Sequence, residues 1–312
     1  MTIVGEFVFP HGTTPLDPQV RDFANVPAAR PTTKEECIKL HKAMRQTAVA
    51  LIETQPELIV FSTPHGIKIE NSYAIYDRNK AEGDADWHGE WRDYKASFEI
   101  DVELSEQLAR YLQKSGNTVS LLKVGLEFTA IPLKWAEVVP FWFITEEAKK
   151  VNFQLPKVIA ISLPFEIKDK RSAAIPTALK IGSDIYDFIN SNQMLSSKRI
   201  ALVTSLDLSH NHSSAATSPY PYLPFANKFD EPCQEWAKLD INAKTIEESN
   251  DLLLRKAAEY VDQVECCGYI GVVIVQGLLQ REIVRGTNFK ATYVYYSAPA
   301  YFGMMASYHL RI

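Results

Sequence analysis

The chain of 312 residues is 46% hydrophobic and 11% aromatic, enough for a sizeable core, yet no run approaches the ~18 uninterrupted apolar residues of a membrane helix. Its net charge is −5 and its basic residues are spread rather than gathered into a stripe, which leaves no electrostatic footprint for nucleic acid. Length alone would allow two domains, but α/β enzymes often run this long as one unit, and a single domain over 1–312 is the expectation.

The start, Met-Thr-Ile-Val-Gly-Glu, has no basic segment followed by an apolar stretch, so no secretory signal is read and a cytoplasmic location is expected. The apolar run Val4 to Phe9 then reads as a short buried strand that stops in Pro10-His11-Gly12. After a loop from Asp17 to Pro31, Thr33-Lys34-Glu35-Glu36 has the pattern of a capping box and opens a helix to about Thr54, with Cys37, Leu40, Met44 and Ala48 at helical spacing. His41 reads as an ordinary histidine of that helix. A second strand, Leu58 to Ser62, again stops in Pro64-His65-Gly66. Residues just past strand carboxyl ends are where open α/β sheets place ligand sites, so two imidazoles presented this way can converge on one metal.

Asp77 to Tyr94, with Trp87-His88-Gly89-Glu90-Trp91, reads as a long polar and aromatic loop or lid, in which His88 is a lesser candidate for substrate contact. A helix over Leu104 to Lys114, strands over Thr118 to Val124 and Lys157 to Ser162, a helix over Ala173 to Asn192 and a strand over Arg199 to Ser205 follow. A Pro- and Tyr-rich loop, Ser218 to Pro224, precedes a helix over Asp251 to Val264, the apolar stretch Gly271 to Leu279 and a late strand over Ala291 to Tyr296. This alternation argues for an α/β layered sheet with helices on both faces and a metal site at the strand carboxyl ends. The cysteines Cys37, Cys233, Cys266 and Cys267 lack zinc-finger spacing, and adjacent Cys266 and Cys267 cannot easily bridge each other, so reduced thiols are expected.

Taken together, Pro10-His11-Gly12, Pro64-His65-Gly66, Asp207-Leu208-Ser209-His210, Phe229-Asp230, Val264-Glu265-Cys266-Cys267-Gly268 with Gln276-Gly277-Leu278-Leu279, and Tyr295 to Gly303 resemble, in that order, the class III extradiol ring-cleaving dioxygenases. This superfamily is named for the catalytic LigB subunit of protocatechuate 4,5-dioxygenase, and the resemblance covers most of the chain. It implies that His11, His65 and Glu265 form a two-His-one-carboxylate set for Fe(II), with Zn²⁺ or Mn²⁺ as alternatives, leaving one face of the metal for an aromatic substrate and O₂. It implies that His210 is the acid/base histidine, a role suited to a pKa near neutrality. His212 would share a face with His210 in an extended segment and is its rival as a substrate contact. Asp207 reads as a helix cap or an orienting group beside the substrate.

One departure concerns substrate. Many family members have Asp-His-Gly a few residues before Val-Pro-Leu, with the histidine contacting substrate, whereas this chain has Leu126-Glu127-Phe128-Thr129-Ala130-Ile131-Pro132-Leu133. The alignment puts Glu127 in the histidine's place, where a carboxylate would repel a catecholate unless protonated or paired. A cationic or amine-bearing ring, a drift from catechol cleavage, or an exposed Glu127 on a shifted loop are the three readings. The leading expectation is an extradiol dioxygenase acting on a catechol-like or aminophenol ring. Its competitors are a non-catalytic metal-binding or scaffold relative and a hydrolytic Zn²⁺ enzyme. A homodimer is the default assembly, some relatives working instead with a small second subunit.

Overall fold

In the computed structural model, residues 2–24, 26–164 and 170–312 are described. Strand β1 (Thr2–Phe9) leads to helix α1 (Thr33–Glu53), β2 (Leu58–Thr63), β3 (Tyr73–Tyr76), β4 (Lys80–Asp84) and β5 (Lys95–Glu99). Then come α2 (Val102–Lys114), β6 (Val119–Leu122), β7 (Ile131–Leu133), α3 (Trp135–Lys150), β8 (Val158–Ser162), α4 (Arg171–Ser191) and β9 (Arg199–Ser205). The chain closes with α5 (Ala226–Lys238), α6 (Ile246–Asp251), α7 (Tyr269–Val284), β10 (Phe289–Ser297) and β11 (Met304–Arg311).

Eight strands form one mixed sheet in the order β10-β11-β1-β9-β2-β8-β3-β6. β1, β9, β2 and β8 run parallel, while β11 and β3 pair antiparallel to their inner neighbours. Strand alternation divides the core between two faces. Ile200 and Leu202 of β9 join Leu58 and Val60 of β2 in a core with α2, α4, α5 and α7. Ala201 and Val203 join Ile59 and Phe61 in a second core with α1 and α3. Helices therefore cover both faces, as an α/β layered sheet requires. Helix α7 is apolar from Tyr269 to Val275 because it is buried against both the sheet and α4. Among the described residues no helix is long and apolar enough to cross a membrane.

Several local expectations give way to tertiary partners. The capping box at Thr33 does not form. The Thr33 hydroxyl accepts from the Arg30 N–H at 2.7 Å and donates to the Pro299 carbonyl, while Glu36 takes the Arg30 guanidinium at 3.0 Å and the Ser297 hydroxyl. The stretch from Asp77 to Tyr94 is not loop throughout: β4 lies within it and pairs with β5 and β7, burying Ala81 against Phe98. The expected helix from Asp251 changes to a wider π-turn at Leu252–Ala257, where the Leu253 carbonyl accepts from the Tyr269 hydroxyl at 2.6 Å.

Candidate active site

The strand order makes the site. β9 lies between β1 and β2, with Phe9 opposite Ser205 and Ser62 opposite Thr204, so the three carboxyl ends fall side by side. The residues that follow, His11 after β1, His65 after β2 and the segment 207–210 after β9, must therefore meet above one edge of the sheet. The His11 and His65 rings stand 5.1 Å apart, edge to face.

His11 is 1% exposed, and its tautomer follows from its partners. The Ser205 hydroxyl donates its one hydrogen to the Ala136 carbonyl at 2.6 Å. It can only accept from His11 Nδ1, 2.8 Å away, which places the imidazole hydrogen on Nδ1 and leaves the Nε2 lone pair facing the site. Nε2 lies 3.3 Å from Asp207 Oδ2 and 3.2 Å from Cys267 Sγ. Burial holds His11 far below the usual imidazole range, and His65 and His210 add to it. Burial, with Lys68, lowers His65 to about 4. Burial, then His65 and Arg171, lowers His210 to about 3. Burial raises Asp207 to about 7, although backbone N–H groups of His11 and Gly12 bond its carboxylate. The His11–Asp207 contact is thus a neutral ring beside a carboxyl group rather than an ion pair: desolvation penalises the imidazolium more than one neighbour can offset.

A strip of backbone pairing holds the rest in place. Asp207 and Cys267 exchange N–H···O bonds of 3.1 and 3.2 Å, the His210 N–H donates to the Glu265 carbonyl at 2.6 Å, and Leu208 and Gly303 continue the ladder on the other side. Gly268 follows with φ +87°, and a Cβ there would stand 2.5 Å from the Ser205 carbonyl, so the turn that swings Cys267 towards the histidines needs glycine. Among the described residues two donor clusters result, His11-His65-Cys267 and Asp207-His210-Cys267, each with its ligand atoms within 4.8 Å of one another. Neutral imidazoles, a thiol and a carboxyl group so crowded suit a divalent transition metal, because each offers a lone pair once the acidic protons leave.

Above this floor is a cavity of 310 Å³ whose lining includes His11, His65, Asp207 and His210. Its walls are Trp87, Trp91, Trp135, Tyr220, Tyr301 and Phe302. Trp135 lies over His65 at 5.0 Å, and Phe302 stands 5.6 Å from His210. The volume is at the low end of the ~300–1,000 Å³ typical of small-molecule sites, and flat aromatic walls favour a single planar ring. His88 also lines the cavity, held with φ +54° in the loop between β4 and β5.

The remaining candidates lie elsewhere. Glu265 has its carboxylate 3.6 Å from Arg171 Nη2, with its side chain 24% exposed, and neither donor cluster contains it. His212 Nε2 sits 2.7 Å from Asp230 Oδ2 and 3.3 Å from the Tyr296 hydroxyl, beside a separate cavity. Glu127 is exposed in the β6–β7 loop, flanked by Leu126 and a Phe128 that is 94% exposed, and it does not line the cavity. Sequence reading missed Ser205 and Cys267. Ser205 carries no motif, and Cys267 looks like its neighbour Cys266 until the strip is seen to turn Cys266 into the apolar core.

No curated protein sequence matches the chain. One solved structure, that of the uncharacterized protein JW3007 from Escherichia coli K12, is 14% identical over 98% of this chain and 99% of that one, with a TM-score of 0.46. The family model for the catalytic LigB subunit of aromatic ring-opening dioxygenase matches residues 23–305, nearly the whole chain. With two histidines at neighbouring strand ends, a third beside them and an aromatic-walled cavity above, the chain belongs to the LigB family of aromatic ring-opening dioxygenases.

Proposed function

We propose that the protein is a non-haem Fe(II) extradiol dioxygenase that opens a catechol-like or aminophenol ring next to its hydroxyl group and inserts both atoms of O₂. The observation that carries this reading is the meeting of His11, His65 and His210 on the floor of an aromatic-walled cavity of 310 Å³. His11 and His65 hold the metal, and bound iron supplies the electronic path between ring and O₂. The aromatic walls bind and orient the ring and exclude water. Burial keeps His210 neutral and makes it a weaker base than a free imidazole, so the negative charge of the bound ring must offset that burial as the substrate's hydroxyl proton moves to His210, which later returns it. Asp207 bonds the backbone of the turn that carries His11 and so fixes that ligand's position.

The described lining includes Glu90 and no lysine or arginine. A carboxylated ring would meet no cation there, so a neutral or amine-bearing ring is the better substrate. Glu127, the residue that made a scaffold role attractive, is exposed outside the cavity and has no part in the proposed chemistry.

O₂ uptake by anaerobically Fe(II)-loaded protein against catechols, carboxylated catechols and 2-aminophenols tests the proposal. Uptake with a new visible-absorbing product, lost in His11→Ala, is expected. Iron bound by the wild type with no uptake on any of these rings refutes it.

A further inference from the structure

We infer that Cys267, as a thiolate, is the third protein ligand of the metal held by His11 and His65, in the place expected for Glu265; this rests on the metal site proposed above. Cys267 Sγ is the one atom common to both donor clusters. It lies 3.2 Å from His11 Nε2 and 3.5 Å from His210 Nε2. A tetrahedral site with nitrogen and sulfur bonds of about 2.1 and 2.3 Å separates those donors by roughly 3.6 Å, so the His11–Cys267 edge is already near its bonding length. The His11 lone pair faces that sulfur because Ser205 holds the hydrogen on Nδ1.

The scaffold fixes the backbone that carries the thiol independently of any metal. Reciprocal backbone bonds tie Cys267 to Asp207, and the left-handed Gly268 ends the strip immediately after it. Glu265 is fixed away from the cluster by the same strip. Its N–H donates to Asn211 Oδ1 at 2.7 Å, its carbonyl takes the His210 N–H, and its carboxylate faces the buried Arg171 guanidinium, whose Nη1 donates to the Val264 carbonyl at 2.8 Å. Moving that carboxylate onto the metal would weaken its pairing with a buried cation, which is costly. Cys267 needs no such movement.

Binding is written as loss of the Cys267 thiol proton to solvent, with a sulfur lone pair forming the bond to the metal, so metal uptake releases one proton from this residue. A thiolate contributes the same single negative charge as a carboxylate but is a softer ligand. It shifts preference towards Zn²⁺ and Co²⁺ and away from Mn²⁺.

Anaerobic Co²⁺ titration of the full chain, followed by absorbance, tests the inference without relying on turnover. Wild type is expected to bind one equivalent with an intense near-ultraviolet thiolate-to-cobalt charge-transfer band. Cys267→Ser is expected to lose the band, release one proton fewer per metal and bind at least about tenfold more weakly, since even losing an orienting partner outside the ligand set costs about 10- to 100-fold. Glu265→Gln and Cys266→Ser should keep both band and affinity. One equivalent of cobalt bound by wild type without the band overturns the role of Cys267 while leaving the metal site standing, and this spectrum needs no variant to fold. A band that persists in Cys267→Ser, or affinity lost in Glu265→Gln instead, overturns it as well. No cobalt bound by wild type overturns the metal site itself.

Discussion

Ser205→Ala removes one oxygen and should weaken metal binding although Ser205 touches no metal. The hydroxyl donates to the Ala136 carbonyl at 2.6 Å and accepts from His11 Nδ1 at 2.8 Å, in a place with no solvent access. Without it, the Nδ1–H and the carbonyl both lose their partners, each loss costing about 1–3 kcal/mol in the folded protein. The imidazole can escape its share by moving the hydrogen to Nε2, but that consumes the lone pair the metal requires. Either way the bound state is penalised, and losing such an orienting partner typically lowers metal affinity by about 10- to 100-fold, or about 1.4–2.8 kcal/mol. The measurement is a competition titration of Zn²⁺ or Co²⁺ against a chromophoric chelator, beside thermal unfolding of the metal-free protein. Long-range ¹⁵N–¹H NMR of the imidazoles should show the hydrogen on Nδ1 of His11 in wild type. Unchanged affinity, within about twofold, in a variant whose metal-free stability has fallen would show that Ser205 merely packs and does not set the tautomer.

Three more outcomes are expected. Burial lifts the Glu137 carboxyl from its usual 4.5 to about 7, against the stabilising Tyr76 hydroxyl and Lys134 N–H. The folded protein therefore holds a proton that the unfolded chain releases, and this stabilisation is complete below pH 4.5 and lost as pH rises through about 7. The difference amounts to about 3 kcal/mol, so the melting temperature of Glu137→Gln should gain on wild type between about pH 4.5 and 7, and a pH-independent difference would contradict this. His210→Ala should lower ring cleavage by about 10²- to 10⁴-fold, whereas His212→Ala, whose ring bonds Asp230 and Tyr296, should change stability more than rate; equal losses in kcat would dissolve the distinction. Carboxylated catechols should show a higher KM than the unsubstituted ring, as measured by O₂ uptake, because the cavity offers Glu90 and no cation among its described lining.

The sequence by itself determined the layered α/β class, the strands ending in His11 and His65, the helices near Thr33, Leu104 and Ala173, and the segment holding His210. These are local matters: apolar runs with a period near two or 3.6, stopped by Pro and Gly, are written in neighbouring residues. It also carried enough ordered motifs to point to the family. Only the tertiary structure decided that β9 inserts between β1 and β2, because strand order depends on which cores pack together, and that order is what brings His11, His65 and His210 to one cavity. Residues two apart on an extended segment share a face, so sequence spacing cannot rank His210 against His212 or Glu265 against Cys267. Their long-range partners differ: Asp230 and Tyr296 engage His212, Arg171 faces Glu265, and the exchanged backbone bonds between Asp207 and Cys267 set that residue beside His11.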